Sequence, residues 1–166
     1  MADVSACLSV PTLDEKAWRA TEPHTPNPKA RLEAVAELNR NGIPTGILIA
    51  PLMPGINDAP EQVQRIVEAA TEAKATYIGG QTLFLRGAVR RIFFEWLREH
   101  RPDLVPRYER LYAKGGHLST AEKRKIELAA GAPWALKTYP HRMPHRGSRR
   151  PEPAARIPQT VQESLF

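Results

Sequence analysis

The chain has 166 residues, of which 42% are hydrophobic, and this is enough for one domain with a moderate core. Its one cysteine excludes an internal disulfide, and the lack of any run of about 18 apolar residues excludes a transmembrane helix. The formal net charge of +6 lies mainly toward the C-terminus, where residues 137–166 hold six basic and two acidic side chains. No signal-peptide pattern begins the chain, so a cytoplasmic location is expected.

The first predicted element is a strand over Val4–Val10, because apolar and small polar residues alternate there. Cys7 lies within this strand and is expected to be a small buried hydrophobe. Thr12 and Glu15 have the spacing of a capping box, which predicts a short helix over Asp14–Ala20. A strand followed directly by a helix is the beginning of a βα unit.

A loop that contains three prolines leads to the next predicted helix. Asn27 is predicted to cap this helix with Pro28 in the first turn, and an Asn-Gly pair at positions 41–42 ends the helix. Thr45–Ala50 is the next predicted strand. Asp58 is then expected to cap a further helix, which carries an apolar stripe with helical period.

The third predicted strand covers Thr76–Leu85 and contains a Gly-Gly pair, which favours a bulge or a close backbone contact. Strands that alternate with helices over short links predict right-handed βα units and a parallel sheet. After this strand the pattern becomes helical and carries one apolar stripe, on which Trp96 is expected to belong to the core. That stripe consists of Val89, Ile92, Phe93, Trp96 and Leu97.

Two more helices are predicted after this stripe, one over Pro102–Tyr112 and one that Ser119 caps with Glu122 as its partner. From Pro133 onward, prolines and arginines leave little apolar surface to bury. The chain therefore divides into residues 1–113, a helix within 114–132, and a disordered basic tail over 133–166. The charge of the tail favours an anionic partner such as nucleic acid, and the alternative is a solvated extension that aids solubility.

Four segments taken together resemble the later strands of radical S-adenosylmethionine (SAM) enzymes, in the spore-photoproduct-lyase-like branch. They are Ser-x-x-Thr-Leu-Asp at 9–14, Glu-Pro at 22–23, Gly-Ile-Pro-x-Gly at 42–46 and Ala-Pro-x-x-Pro-Gly-x-Asn-Asp at 50–58. The match extends over about Val4–Leu111. The resemblance implies an α/β fold, namely a partial (β/α) barrel fragment with parallel strands, followed by a C-terminal helical extension and a disordered tail.

The resemblance also assigns a SAM-binding role to seven residues, which are Ser9, Thr12, Ala50, Pro51, Met53, Leu85 and Arg86. In the family, the first two positions contact the ribose and methionine portions of the cofactor. The next three flank its adenine, and the last two close a strand where an arginine can meet an anionic group. The residues alone leave other roles open: Thr12 also suits a helix cap, Ser9 an ordinary strand, the 50–53 segment a rigid loop, and Arg86 a surface charge.

One departure from the family concerns the iron–sulfur cluster. The family holds a [4Fe–4S] cluster with three cysteine thiolates, whereas Cys7 is the one cysteine of this chain. The resemblance therefore implies a fragment of a radical SAM enzyme, in a branch related to DNA repair, that lacks cluster ligands and is inactive alone. No catalytic residue and no metal ligand is assigned, and whether the chain is itself an enzyme stays open.

The last five residues resemble the pentapeptide through which bacterial DNA-repair and replication proteins bind the sliding clamp. The contact residues would be Gln162, Ser164, Leu165 and Phe166, because leucine and phenylalanine fill an apolar pocket while glutamine fixes the orientation. The alternative function is therefore a non-enzymatic interaction protein that its C-terminal tail tethers to the clamp.

Overall fold

A three-stranded parallel sheet organises the part of the chain that the computed structural model describes, residues 4–132. The strands are β1 (Ala6–Ser9), β2 (Thr45–Leu52) and β3 (Ile78–Thr82), and β2 lies between the other two. Both pairings are parallel, which confirms the predicted α/β class with parallel strands. The predicted tail over residues 133–166 lies outside the described residues.

Six α-helices accompany the described part of the sheet, and a short 3-10 helix precedes the fifth. They are α1 (Glu15–Thr21), α2 (Pro28–Arg40), α3 (Pro60–Glu72), α4 (Gly87–His100), α5 (Val105–Leu111) and α6 (Thr120–Ala129). Every helix that the sequence predicts is present. None of the described helices is long and apolar enough to cross a bilayer.

The predicted caps are correct at two helices and wrong at two. Asn27 Oδ1 accepts from the N–H of Lys29 at the start of α2, and Ser119 Oγ accepts from the N–H of Glu122 at α6. Helix α1, however, is capped by Asp14 rather than by Thr12. Helix α3 is preceded by Ala59 with no side-chain cap, because the carboxylate of Asp58 accepts from the N–H of Gly55 within the loop instead.

The outer strands are shorter than predicted, and β2 is longer. Strand β3 ends at Thr82 rather than Leu85, because the N–H of Leu85 donates to the carbonyl of Gly116 in the helical extension and leaves the sheet. Strand β2 continues to Leu52, where its pairing with β3 is irregular. The predictions for the two outer strands are too long because the alternation of apolar residues continues beyond the residues that pair with a neighbouring strand.

One face of the sheet is covered by α2 and α3 and forms the core. Ile47 and Ile49 of β2 are fully buried on this side. They belong to one cluster with residues of both helices, which are Leu32, Val35, Val63, Ile66 and Ala70. Helices α2 and α3 lie on the same face because each connects adjacent parallel strands in the order β1, β2, β3 by a right-handed crossover.

The opposite face of the sheet, called here the open face, carries side chains that are exposed or half-buried. They are Cys7, Ser9, Leu48, Ala50, Tyr77 and Gln81. The prediction that Cys7 is buried is therefore wrong, because the alternation of β1 turns its thiol away from α2 and α3. Next to it on β2, a Cβ at Gly46 would overlap the ring of Tyr77, so only glycine leaves room for that ring.

The helical extension over α4–α6 is joined to the sheet through two buried tyrosines. Tyr112 donates its hydroxyl to the carbonyl of Leu83 at 2.6 Å, and its ring is parallel to that of Tyr108 with 5.9 Å between centroids. Burial raises the pKa of both hydroxyls above the usual range for tyrosine. The two rings therefore stay neutral in the folded chain.

Because of these two tyrosines, the folded chain is expected to lose stability at alkaline pH. Because the pKa of each is raised by folding, their stabilising contribution is complete below the unfolded pKa of about 10 and is lost as the pH rises above it. We expect the free energy of unfolding to fall there by up to about 1.4 kcal/mol per pH unit for each tyrosine. Urea unfolding across this range measures the slope. Tyr108→Phe should make it shallower, and an unchanged slope in that variant would contradict the assignment.

Candidate functional site

A cleft of about 350 Å³ lies where the three strands end. Its floor and one wall are formed by residues that follow the strands, namely Pro11 after β1, Pro51 and Met53 in and after β2, and Leu83 after β3. The end of α1 contributes Ala20, Thr21 and Glu22. Carboxyl ends of parallel strands are the usual position of ligand sites in α/β proteins.

The facing wall of the cleft is an apolar side of α4. It consists of Val89, Ile92, Phe93 and Trp96. Val89 is 55% exposed and Ile92 is 58% exposed, so these two side chains lie outside the core. Phe93 and Trp96 are half-buried, with 5.9 Å between their ring centroids. The helical period is as predicted, but only Leu97 of the stripe is fully buried, and the other four face the cleft.

A buried asparagine fixes the loop between β2 and α3. Asn57 is 1% exposed, and its Oδ1 accepts from the N–H of Met53 at 2.6 Å. Its Nδ2 donates to the carbonyls of Pro11 at 2.8 Å and Pro51 at 3.0 Å. Asn57 thereby ties together three of the residues that form the floor of the cleft. In the sequence, Asn57 belongs to the 50–58 motif, but no local pattern assigns it this role.

A buried arginine fixes the other end of the cleft. Arg31 on α2 donates from Nη1 to the carbonyl of Ser9, from Nε to the carbonyl of Pro26, and from Nη2 to Glu22, each at 2.8 Å. The ion pair with the buried Arg31 holds Glu22 in the cleft wall. No local sequence pattern marks Arg31 for this role, because its partners lie in β1 and in the loop before α2.

The structure brings together only part of the predicted SAM site. Pro51 and Met53 form the cleft, and Ala50 precedes them through a cis peptide bond. Ser9 is exposed at the end of β1 on the open face. Thr12 is 3% exposed, and its hydroxyl accepts from the N–H of Asp14, which is the bond of a turn.

The last two predicted cofactor residues lie outside the lining of the cleft. Leu85 is buried in the core cluster, and Arg86 is exposed at the N-cap of α4. The predicted clamp-binding residues, Gln162, Ser164, Leu165 and Phe166, lie outside the described residues.

The cleft fits one of the two groups that the resemblance implies. Its apolar and aromatic lining suits a flat ring such as adenine, and Glu22 offers a carboxylate that can accept from ribose hydroxyls. The donor set does not fit a [4Fe–4S] cluster, because Cys7 is the one thiol of the chain. That thiol lies in the middle of β1 rather than at the cleft.

Comparison with known proteins gives relatives without an assigned function. The chain is 32% identical, over 98% of its length, to uncharacterized proteins of Mycobacterium tuberculosis and Mycobacterium bovis, and it spans 47% of their length. It is 31% identical over 48% of its length to an uncharacterized protein of Acidianus two-tailed virus, covering 28% of that protein. No family model and no solved structure matches. The chain thus spans about half the length of the mycobacterial relatives.

Proposed function

We propose that the chain is the C-terminal part of a partial (β/α) barrel of the radical SAM type, and that its cleft holds the adenosyl portion of SAM. The observation that carries the proposal is the cleft itself. It opens at the carboxyl ends of all three strands, and Pro51 and Met53, expected beside the adenine, form its floor. Small and apolar residues there let a ring lie flat against the backbone.

Two features of the sheet, together with the length of the relatives, support a barrel over a doubly wound fold. The strands follow one another in chain order, so the crossovers place α2 and α3 on the same face. Parallel sheets are normally covered on both faces, yet the open face carries exposed side chains. In a barrel the side chains of that face point into the interior and pack against side chains of the remaining strands. The mycobacterial relatives are about twice as long as this chain and have room for them.

In such a protein this chain binds SAM and orients it. Pro51, Met53 and the rings of Phe93 and Trp96 enclose an adenine, and Asn57 and Arg31 keep the walls in place. SAM supplies radical chemistry only when it is bound beside a reduced cluster, and this chain holds no ligand set for that cluster. The chain alone is therefore expected to bind SAM and not to cleave it.

The test is the binding of SAM to the full chain by isothermal titration calorimetry. Ile92→Glu places a charge in the cleft at an exposed position, and we expect it to weaken binding about tenfold, the equivalent of roughly 1.4 kcal/mol. Leu128→Glu makes the same change on the exposed side of α6 and is the matched control. Lack of SAM binding by the parent chain, or equal affinity of the two variants, would overturn the proposal.

A second candidate function rests on the C-terminal sequence and needs no enzyme. We propose that Gln162, Ser164, Leu165 and Phe166 bind the bacterial sliding clamp, because Leu165 and Phe166 are adjacent apolar side chains in a polar, basic segment. Burying each of these two side chains is worth roughly 1.5–3 kcal/mol, which implies micromolar affinity after ordering costs. Titration of purified clamp with a peptide of residues 160–166 measures it. Equal binding by a Leu165→Ala/Phe166→Ala peptide would remove this candidate.

A further inference from the structure

The net positive charge of the described residues lies in one part of the fold. Residues 86–132, the helical extension, contain eleven lysines and arginines and six acidic residues. Residues 4–85, which form the sheet and α1–α3, contain seven basic and nine acidic residues. The extension is thus a cationic surface attached to a slightly anionic body.

A groove of about 610 Å³ between α5 and α6 concentrates this charge. Arg107 and Arg110 line it from α5, Lys125 lines it from α6, and Lys114 lines it from the segment between the helices. Two carboxylates also face the groove, Asp58 and Glu122. One of them, Asp58, already accepts from the N–H of Gly55 at 2.6 Å.

The four cations of this groove lack partners within residues 4–132. Arg107, Arg110, Lys114 and Lys125 make no ion pair and no side-chain hydrogen bond to other described residues. The neighbouring groove between α4 and α5 is different. There Arg90 donates to the carbonyl of Tyr112 and lies over the ring of Phe94, and Arg91 pairs with Glu95. Cations that bind nothing within the fold are available to an outside anion.

An aromatic pair stands beside the cationic groove. His117 lines the groove, and its ring lies on that of Phe84 with 4.1 Å between centroids. Phe84 is 40% exposed, although it is a large apolar side chain. Grooves that follow a phosphate backbone with lysine and arginine, next to an aromatic ring on which bases stack, are how proteins bind single-stranded nucleic acids.

We propose that the groove between α5 and α6 binds single-stranded nucleic acid, with the four cations on the phosphates and Phe84 stacked against a base. The spread of positive charge over the whole extension favours an extended polyanion over a compact phosphate ligand. A single strand is favoured over a duplex because a stacking ring needs an unpaired base. The proposal does not depend on SAM binding, since the groove and the apolar cleft have no lining residue in common.

The test is fluorescence anisotropy of a labelled mixed-sequence DNA single strand titrated with the full chain over a series of salt concentrations. Arg110→Gln/Lys114→Gln/Lys125→Gln removes three exposed cations of the groove, and we expect at least tenfold weaker binding and a salt slope smaller by about 2. Lys16→Gln/Lys29→Gln/Arg65→Gln removes the same charge from exposed positions of α1, α2 and α3 and is the matched control. Both variants keep residues 133–166 unchanged.

A second variant separates stacking from charge. Phe84→Ala should weaken binding of the single strand about tenfold and leave the salt slope unchanged. Thermal unfolding confirms that each variant is folded. Equal losses in the two charge variants would overturn the proposal by assigning the binding to net charge. Preference for a duplex of the same sequence, or displacement of the strand by pyrophosphate at equal phosphate concentration, would also overturn it.

Discussion

Replacing Asn57 by alanine is expected to lower the free energy of unfolding by about 3–5 kcal/mol, because three hydrogen bonds are lost, two of them fully buried, and the freed backbone groups lose their side-chain partner. The N–H of Met53 and the carbonyls of Pro11 and Pro51 would keep no other partner among the described side chains. Since small domains have only about 5–15 kcal/mol in all, this change takes a large share of the stability. Urea unfolding followed by circular dichroism measures the loss.

The control for this substitution is Asn41→Ala at the end of α2. Asn41 also donates its amide to a carbonyl and a carboxylate, those of Glu37, but it is exposed. We expect less than about 1 kcal/mol there, because water replaces the lost bonds. If Asn57→Ala cost no more than Asn41→Ala, the loop would be held by packing alone and the role given to Asn57 would be wrong.

Replacing Arg31 by methionine is the second large effect, and we expect a loss of about 3–5 kcal/mol. Methionine keeps most of the apolar length of the side chain, but it removes the bonds to Ser9, Pro26 and Glu22. The carboxylate of Glu22 then stays largely buried without its cation. Adding Glu22→Gln should recover part of the loss, and the recovered part measures the coupling of the pair.

An exposed arginine on the same helix provides the comparison. Arg40 pairs with Glu37 near the end of α2, and its side chain is 72% exposed. Arg40→Met should change stability by less than about 1 kcal/mol, as surface ion pairs do. The comparison is guanidinium chloride unfolding of four proteins: the parent chain, Arg31→Met, Arg31→Met/Glu22→Gln and Arg40→Met. Similar losses of stability at positions 31 and 40 would show that Arg31 contributes no more than a surface charge.

The fold is predictable from the sequence where local patterns decide it. Alternating apolar residues and helical periods locate all three strands and every helix, since these patterns reflect which face is buried. Strand ends are less predictable, because they depend on pairing across the sheet. Leu85 leaves β3 because its N–H meets Gly116, and no pattern near Leu85 indicates this.

The candidate site is predictable only in part, for a similar reason. Pro51 and Met53 are found because they follow a strand within a distinctive motif. Asn57 and Arg31 are missed because each joins nearby groups to one partner far along the chain, which is Pro11, 46 residues away, for Asn57 and Ser9, 22 residues away, for Arg31. The apolar side of α4 shows a further limit. A helical period identifies an apolar face, but it does not tell whether a core or a cleft lies against that face.

The two outer strands of the sheet have a practical consequence for the protein in concentrated solution. In the described part of the chain, β1 with four residues and β3 with five each have no neighbouring strand on one side, although Arg31 bonds the carbonyl of Ser9 at the outer edge of β1. Exposed strand edges can pair with further strands, and in a purified sample these strands come from other molecules of the same protein. Their shortness limits this self-association, since each edge offers few bonds. Aggregation through strand exchange is therefore expected to grow with concentration, and a partner that caps either edge would act as a solubilising chaperone.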